Sequence, residues 1–221
     1  MRNSVNKHQE HSEQTYRSIL EVAYDLYLKK GIESTTIQEI AKEIGAHRTT
    51  VYRYFSNHEE ICFAIAREKH TKMLERYDME LEPYLTQGTG WDKLAMVMKL
   101  GDKMAREYRD QFRFYAIFDA YLALRPNQAS VGKELNSTFV TDKFILLKKR
   151  LIEEGIADGS IRDDLDPELA SVTLRNMFVA IWARVDMRYN VFKFHYSIPN
   201  PEVIGDVASE IYLAGMRPVK K

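Results

Sequence analysis

The polar side chains between positions 47 and 54 have the types and spacing that most clearly suggest chemistry. Arginines, threonines, tyrosines and a histidine follow one another closely in this stretch. Arginine, hydroxyl and ring N–H groups hydrogen-bond phosphate oxygens and the edges of bases. The segment therefore favours binding to double-stranded DNA. Its candidate contact residues are His47, Arg48, Thr49, Thr50, Tyr52, Arg53 and Tyr54.

The residues around this stretch have the spacing of a helix-turn-helix. Thr36 and Glu39 predict a capping box at the start of the first helix. Ala41 allows two helices to cross closely, Gly45 tolerates a left-handed turn, and Val51 packs the second helix on the first. An ordinary helical hairpin with a polar surface is the alternative interpretation, because such triplets also occur by chance.

The segment GAHRTTVYRYFSNHEEI, residues 45–61, resembles the recognition-helix signature of the TetR/AcrR family of transcriptional regulators. Upstream, Ala23, Leu26-Tyr27 and Lys30-Gly31 are similar to the first helix of that family. The resemblance covers about residues 12–72, and a weaker similarity follows at residues 161–170.

The resemblance implies a role in DNA binding for each matching position. It implies contacts to backbone phosphates at the start of the first motif helix and along the second. It implies contacts to base edges, or to the adjacent phosphates, near the start of the second helix. The phosphate contacts would be Thr36, Tyr52 and Tyr54, the base-edge contacts Arg48, Thr49 and Thr50, and Arg53 is a further candidate.

Two positions depart from the family pattern. Position 58 usually holds a lysine that contacts a phosphate, and this chain has His58, whose contact would be weaker and dependent on pH. Position 47 usually holds a small polar residue, and here the His47 ring could donate to a phosphate or reach a base. Simple exposure on the surface is the alternative for both histidines.

The overall charge of the chain does not indicate a nucleic-acid partner. Its 221 residues include 32 Lys+Arg and 32 Asp+Glu, so the formal net charge is +0. Attraction to DNA must therefore come from local placement of basic and hydrogen-bonding groups.

Other functional classes find little support. Cys62 is the only cysteine, so an internal disulfide is excluded and a reducing cytosol fits best. His8 and His11 are spaced so that they could share a metal ion on a helix. No third ligand lies nearby in the sequence, so we predict no metal site. No catalytic set or glycine-rich phosphate loop is recognisable, so we predict no cofactor and no enzyme activity. The polar N-terminus and the interrupted apolar stretches predict a cytoplasmic protein without a membrane contact.

The periodicity of apolar residues predicts an all-α fold. An N-terminal three-helix domain with the helix-turn-helix would be joined by a long helix to a larger helical bundle that dimerises. The expected parts are a flexible tail over 1–11, a DNA-binding domain over 12–72 with its motif at about 36–55, and an effector-binding and dimerisation domain over 73–221. Helices are expected at about 12–30, 36–44, 47–55, 57–80, 91–108, 111–124, 128–154, 167–189 and 202–214.

Aromatic and methionine side chains are common in the second half of the chain, and such residues line adaptable ligand pockets. Most of them are also what the core of a helical bundle needs, and the polar ones could form internal pairs or face solvent. The candidate effector pocket comprises Phe114, Phe118, Asp119, Arg175, Met177, Phe178 and Trp182.

Two helices near the end of the chain have the pattern of a dimer interface. The helix from Pro167 is apolar on more than one face, which indicates burial from two sides. The last helix carries a clear apolar stripe. Packing of both helices within their own subunit is the alternative. The candidate interface residues are Val172, Val179, Ala183, Val203, Val207 and Ile211.

These observations lead to one main hypothesis and two rivals. The main one is a homodimeric repressor that binds a palindromic DNA operator and is released by a small apolar or aromatic effector of unknown identity. The first rival is an architectural DNA-binding protein of the same fold that senses no ligand. The second is a helical enzyme, which the absence of a recognisable catalytic set disfavours.

Overall fold

The computed structural model describes residues Arg2–Arg125 and Lys143–Pro218. Within these ranges every regular element is a helix, and the predicted all-α fold is confirmed. A single 3₁₀ turn, Glu82–Leu85, follows the fourth helix. The α-helices are α1 (Arg2–Lys30), α2 (Ile37–Glu43), α3 (Arg48–Tyr52), α4 (His58–Leu81), α5 (Gly90–Glu107), α6 (Arg109–Ala123), α7 (Lys143–Ala157), α8 (Pro167–Met187), α9 (Tyr189–Phe194) and α10 (Val203–Gly215).

The first helix is longer than the sequence predicted. It begins at Arg2 rather than near Ser12 and continues without a break to Lys30. No glycine or proline occurs before Gly31, so nothing in the backbone prevents the helix from extending towards the N-terminus. Gly31 ends it in the left-handed conformation, with φ at 87°.

Local capping explains where several later helices begin. Thr89 and Asp92 form a capping box at the start of α5. Asp166 accepts a hydrogen bond from the backbone of Leu169, and Pro167 occupies the first turn of α8. The helix expected over 128–154 falls partly outside the described residues, which show α7 from Lys143. The short helix α9 is not among the predicted helices.

The chain divides into two compact units. The first comprises Met1–His70 with Phe114–Phe139, and the second comprises Thr71–Arg113 with Val140–Lys221. The first division along the chain lies between His70 and Thr71, and the domain boundary near residue 72 stays a prediction. The predicted second domain includes residues 114–125, whereas the structure groups them with the N-terminal unit.

The core of the first unit brings the helix-turn-helix together with α1, α4 and the later part of α6. Tyr27, Ile40 and Val51 are fully buried there, and Phe114 and Phe118 are stacked with ring centroids 5.9 Å apart. Because α2 and α3 are short, packing on this core holds them in place more than helix propensity does.

The second unit is a bundle of α5, α7, α8 and α10, completed by the end of α4 and the start of α6. Glycines allow two close helix contacts in this unit. A Cβ on Gly90 would lie 2.1 Å from the backbone nitrogen of Gly155, and one on Gly205 would lie 2.4 Å from the indole of Trp182. No helix in the described part of the chain has both the length and the apolar character needed to span a bilayer.

Candidate nucleic-acid interface

The start of α2 is fixed by the predicted capping box. The Thr36 hydroxyl accepts a hydrogen bond from the backbone N–H of Glu39, and the Thr36 N–H donates to Oε2 of Glu39 at 2.8 Å. Lys30 donates to the other carboxylate oxygen at 2.6 Å. The bonds from Lys30 and then from Thr36 lower the pKa of Glu39 to about 2. Thr36 is exposed, as a phosphate contact requires, although its hydroxyl also serves the cap.

The turn between α2 and α3 has the geometry that the sequence predicted. Gly45 has φ at 68°, a conformation that a residue with a Cβ rarely adopts. The N–H of Ala46 donates to the carbonyl oxygen of Ala41 at 2.8 Å, which closes the turn. Ala41 and Val51 are buried between the helices. The motif is therefore rigidly packed on the side that faces the core.

The opposite side of α3 presents polar side chains to solvent. His47, Arg48, Thr49 and Arg53 are exposed, and Tyr52 is 53% exposed. Of the other predicted contact residues, Thr50 and Tyr54 are half-buried. Most of the predicted DNA-contact residues are thus brought onto one accessible surface.

An open groove of about 550 Å³ lies between α2 and α3. It adds two polar residues that the sequence reasoning did not select, Gln38 and Lys42, both exposed and one helical turn apart on α2. Their spacing of four residues on the first motif helix was the available signal. The groove is lined by Gln38, Ala41, Lys42, Ala46, His47, Arg48 and Thr49.

The turn after α3 is attached to α1 by aromatic contacts. The hydroxyl groups of Ser12 and Tyr54 are 3.1 Å apart, and the rings of Tyr16 and Phe55 stack with centroids 5.2 Å apart. The extension of α1 beyond the predicted start at Ser12 begins beside this contact. Tyr54 is therefore held in place by α1 while part of its ring stays accessible.

His58 differs most from its expected role. Its Nδ1 lies 2.7 Å from the hydroxyl oxygen of Tyr27, and its ring packs edge-on against the Tyr27 ring. Burial, and then the positive charge of Arg125, lower the pKa of His58. The side chain is half-buried and bonded internally, which weakens the expectation that it contacts a phosphate.

The residues of the expected effector pocket are divided between the two units, and the pocket stays a prediction. Phe114 and Phe118 are buried in the core of the first unit, where Phe114 meets Tyr24 and Phe118 meets Phe63. Sequence reasoning missed this because it cannot show that α6 packs its aromatic residues on α1 and α4.

The other predicted pocket residues have separate surroundings. Phe178 and Trp182 lie in the second unit with ring centroids 6.4 Å apart. Arg175 is half-buried in that unit, whereas Asp119 and Met177 are exposed. In the second unit, Phe178 and Trp182 are the predicted residues that share one cluster.

A buried carboxylate in the second unit was not selected from the sequence. Oδ1 of Asp102 accepts hydrogen bonds from the indole N–H of Trp182 and from the hydroxyl of Ser209, each at 3.0 Å. These bonds link α5 to α8 and α10. Burial raises the pKa of Asp102 to about 6. The signal in the sequence was an aspartate on the apolar face of an amphipathic helix.

The predicted interface residues are mostly accessible. Val172, Val203, Val207 and Ile211 are exposed, with Ile211 at 63%, and Val179 is half-buried. Ala183 is buried, with 5% of its surface exposed. Leu169 and Met187 add exposed apolar surface at the two ends of α8.

The fold and this surface define a class of protein: a helix-turn-helix transcriptional regulator. The family described as "Bacterial regulatory proteins, tetR family" matches residues 19–65. The chain belongs to the TetR family.

Relatives and solved structures agree with this assignment. The HTH-type transcriptional regulator YfiR of Bacillus subtilis is 34% identical over 154 residues, 69% of this chain and 71% of YfiR. The fatty acid metabolism regulator protein of the same organism is 25% identical over 187 residues, 83% and 91% of the two chains. The crystal structure of FadR from Bacillus subtilis, in complex with stearoyl-CoA, has a TM-score of 0.68 and 20% identity over 91% of this chain and 100% of that one. These relatives are named as regulators rather than as enzymes.

Proposed function

We propose that the protein is a homodimeric repressor that binds a near-palindromic operator and leaves it when a small apolar ligand binds the second unit. The observation that carries the proposal is the two-sided placement of α3. Val51 is fully buried against the core, whereas Arg48, Thr49 and Tyr52 face solvent. A short helix anchored in this way can enter the major groove without disturbing the packing behind it.

The exposed residues suit different parts of a DNA site. Arg48 and Thr49 lie at the N-terminal end of α3, where side chains of a recognition helix reach base edges. Tyr52 and Lys42 extend from the same surface and would contact phosphates on either side of the groove. In a two-fold dimer, the two half-sites would be about 34–36 Å apart, one turn of DNA.

A binding titration tests the DNA-binding part of the proposal. Fluorescence anisotropy at physiological salt would compare DNA from upstream of the protein's own gene with random DNA of equal length. We expect tighter binding to the upstream DNA, because the affinity of a regulator for its specific site is about 10³-fold or more higher than its affinity for non-specific DNA. Equal affinity for both DNAs would count against a sequence-specific regulator.

The names of two relatives guide the choice of ligand. One is a fatty acid metabolism regulator, and one solved structure contains stearoyl-CoA. The second unit of this chain holds an aromatic cluster that suits an apolar chain, formed by Phe112, Phe178 and Trp182, with Phe144 against it. We therefore propose an acyl compound as the first effector to test. A coupling of about 1–3 kcal/mol between ligand and DNA would be enough to release the operator.

A thermal-shift series tests the ligand. Stearoyl-CoA, free fatty acids and small aromatic compounds would each be added to the full chain. A true effector stabilises the fold by mass action and also lowers the affinity for the operator. If no compound stabilised the fold or lowered the affinity for the operator, the ligand-independent, architectural role would be favoured instead.

A further inference from the structure

The turn between α3 and α4 is attached to α1 at both of its ends. At the α3 end, Tyr54 meets Ser12, and Phe55 stacks on Tyr16. At the α4 end, His58 contacts the hydroxyl of Tyr27. Because this turn immediately follows α3, its attachment to α1 determines how α3 is held against the rest of the unit.

The contact at the α4 end depends on a titratable ring. His58 is the first residue of α4, and the Tyr27 side chain that it meets is fully buried. Nδ1 and the Tyr27 oxygen are 2.7 Å apart, and the ring centroids are 5.7 Å apart in an edge-on contact. The imidazole is therefore held by both a hydrogen bond and packing.

The surroundings of His58 do not favour a positive charge on the ring. The groups that face the ring are Tyr27 of α1 and Arg125, which follows α6. Tyr121, Cys62 and Glu33 interact in turn with Arg125, and Glu59 follows His58 along α4. Arg125 lies over the Tyr121 ring at 3.8 Å and 3.6 Å from the Glu33 carboxylate, which offsets part of its charge.

The start of α4 adds to this effect. The N-terminal end of a helix has a partial positive charge, which also disfavours a cation at its first residue. The remaining acidic neighbour, Glu59, is on the same helix turn as His58. A protonated imidazole would thus meet both Arg125 and the helix end.

We propose that His58 is a positioning residue for α3, and that protonating its ring loosens the α3–α4 turn and weakens binding to DNA. The neutral ring holds the turn through Tyr27. The charged ring moves away from Arg125 towards solvent, and the link to α1 is lost. This inference rests on the DNA-binding function proposed above.

The direction of the pH effect follows from the environment of the ring. The pKa of His58 is lowered in the folded protein, chiefly by burial and then by Arg125. The unfolded chain therefore takes up the proton first as the pH falls below the ordinary value of 6.5. The contribution of His58 to stability is complete above that pH and declines below it until the folded protein is also protonated.

Operator binding measured between about pH 5.5 and pH 8 tests the proposal. The variants are His58→Gln, which keeps a hydrogen-bonding group without titrating, and Tyr27→Phe, which keeps the ring but lacks the hydroxyl. His195→Gln is the control, because His195 is an exposed histidine of the second unit, outside the helix-turn-helix. Thermal unfolding at pH 8 would first confirm that each variant is folded.

We expect the wild-type dissociation constant to rise several-fold as the pH falls. The rise should disappear in His58→Gln and persist in His195→Gln. Tyr27→Phe should bind more weakly already at pH 8. In an NMR titration, the His58 ring should also titrate below the ordinary value of 6.5.

Two results would overturn the inference: the same pH profile in wild type and His58→Gln, or a His58 ring that titrates at or above the ordinary value of 6.5. A wild-type chain that binds no upstream DNA at pH 8 would instead overturn the proposed function. The two failures are therefore distinguishable.

Discussion

Two histidines near α3, His47 and His58, have different roles because their surroundings differ. His47 and His58 both replace residues that are usual in the family. His47 is exposed at the N-terminal end of α3, whereas His58 turns inward to Tyr27. The sequence marks both positions as unusual. It cannot separate them, because burial at position 58 depends on contacts with residues that are distant along the chain.

Arg48→Ala tests base recognition at the level of one side chain. We expect it to weaken binding to the cognate operator by about 1–3 kcal/mol and to affect random DNA much less, because the arginine is placed to read a base edge. Anisotropy titrations of both DNAs would measure the difference. Arg150→Ala, an exposed arginine of the second unit, should change neither affinity. Equal loss on both DNAs would mean that Arg48 contacts only phosphate.

Asp102 offers a second test at the same scale. Burial raises its pKa from the ordinary 3.8 to about 6, so the folded protein holds the proton more tightly than the unfolded chain. The protonated Asp102 therefore adds to the free energy of unfolding. This contribution is complete below about pH 3.8 and is lost as the pH rises through about 6.

We expect Asp102→Asn, which keeps an oxygen for Trp182 and Ser209, to unfold at a higher urea concentration than wild type at pH 8. The difference should shrink at pH 5. Asp163→Asn, an exposed acid in the loop before α8, should not reproduce this pattern. If Asp102→Asn raised the urea concentration of unfolding by the same amount at both pH values, ionisation of Asp102 would not affect stability.

At the scale of elements, helix ends with capping residues were predictable and the others were not. Thr36 and Asp166 begin α2 and α8 as expected, and Gly31 ends α1. The true start of α1 has no capping signal, so the polar residues before Ser12 have the composition of a tail although they are helical. The short helix α9 was missed because its six residues contain no capping motif.

The turn of the helix-turn-helix depends on Gly45. An alanine there must adopt the same left-handed conformation, which should destabilise the protein by about 1–2 kcal/mol. Operator affinity should fall as well, because the turn sets the angle of α3. Chemical unfolding and anisotropy would measure the two effects. Gly215→Ala is the control, because a Cβ at Gly215 meets no atom within 4 Å. Similar stability of both variants would show that the turn tolerates another backbone conformation.

At the scale of the whole molecule, the family and the fold could be predicted from the sequence, but the grouping of distant residues could not. The motif of the first unit is local, so spacing alone revealed it. The effector pocket stays a prediction, because Phe114 and Phe178 look alike in sequence but belong to different units. Residues that meet only through packing of distant helices, such as Asp102 and Ser209, cannot be paired from periodicity.

The proposed assembly depends on apolar surface that a single chain leaves uncovered. On α8 the exposed residues include Leu169, Val172 and Met187, and on α10 they include Val207 and Ile211. The two helices pack against each other within the second unit. A second copy placed on these faces by a two-fold axis would cover them and present two α3 helices to DNA.

Ile211→Glu tests that assembly, because it places a charge in the middle of the exposed α10 face. We expect wild type to sediment as a dimer and the variant to shift towards monomer. Operator affinity should then fall by about tenfold or more, since a monomer reaches only one half-site. Leu124→Glu, at a similarly exposed apolar residue of the first unit, should remain dimeric. If Ile211→Glu also remained dimeric at low concentration, the two chains would have to meet through a surface other than α8 and α10.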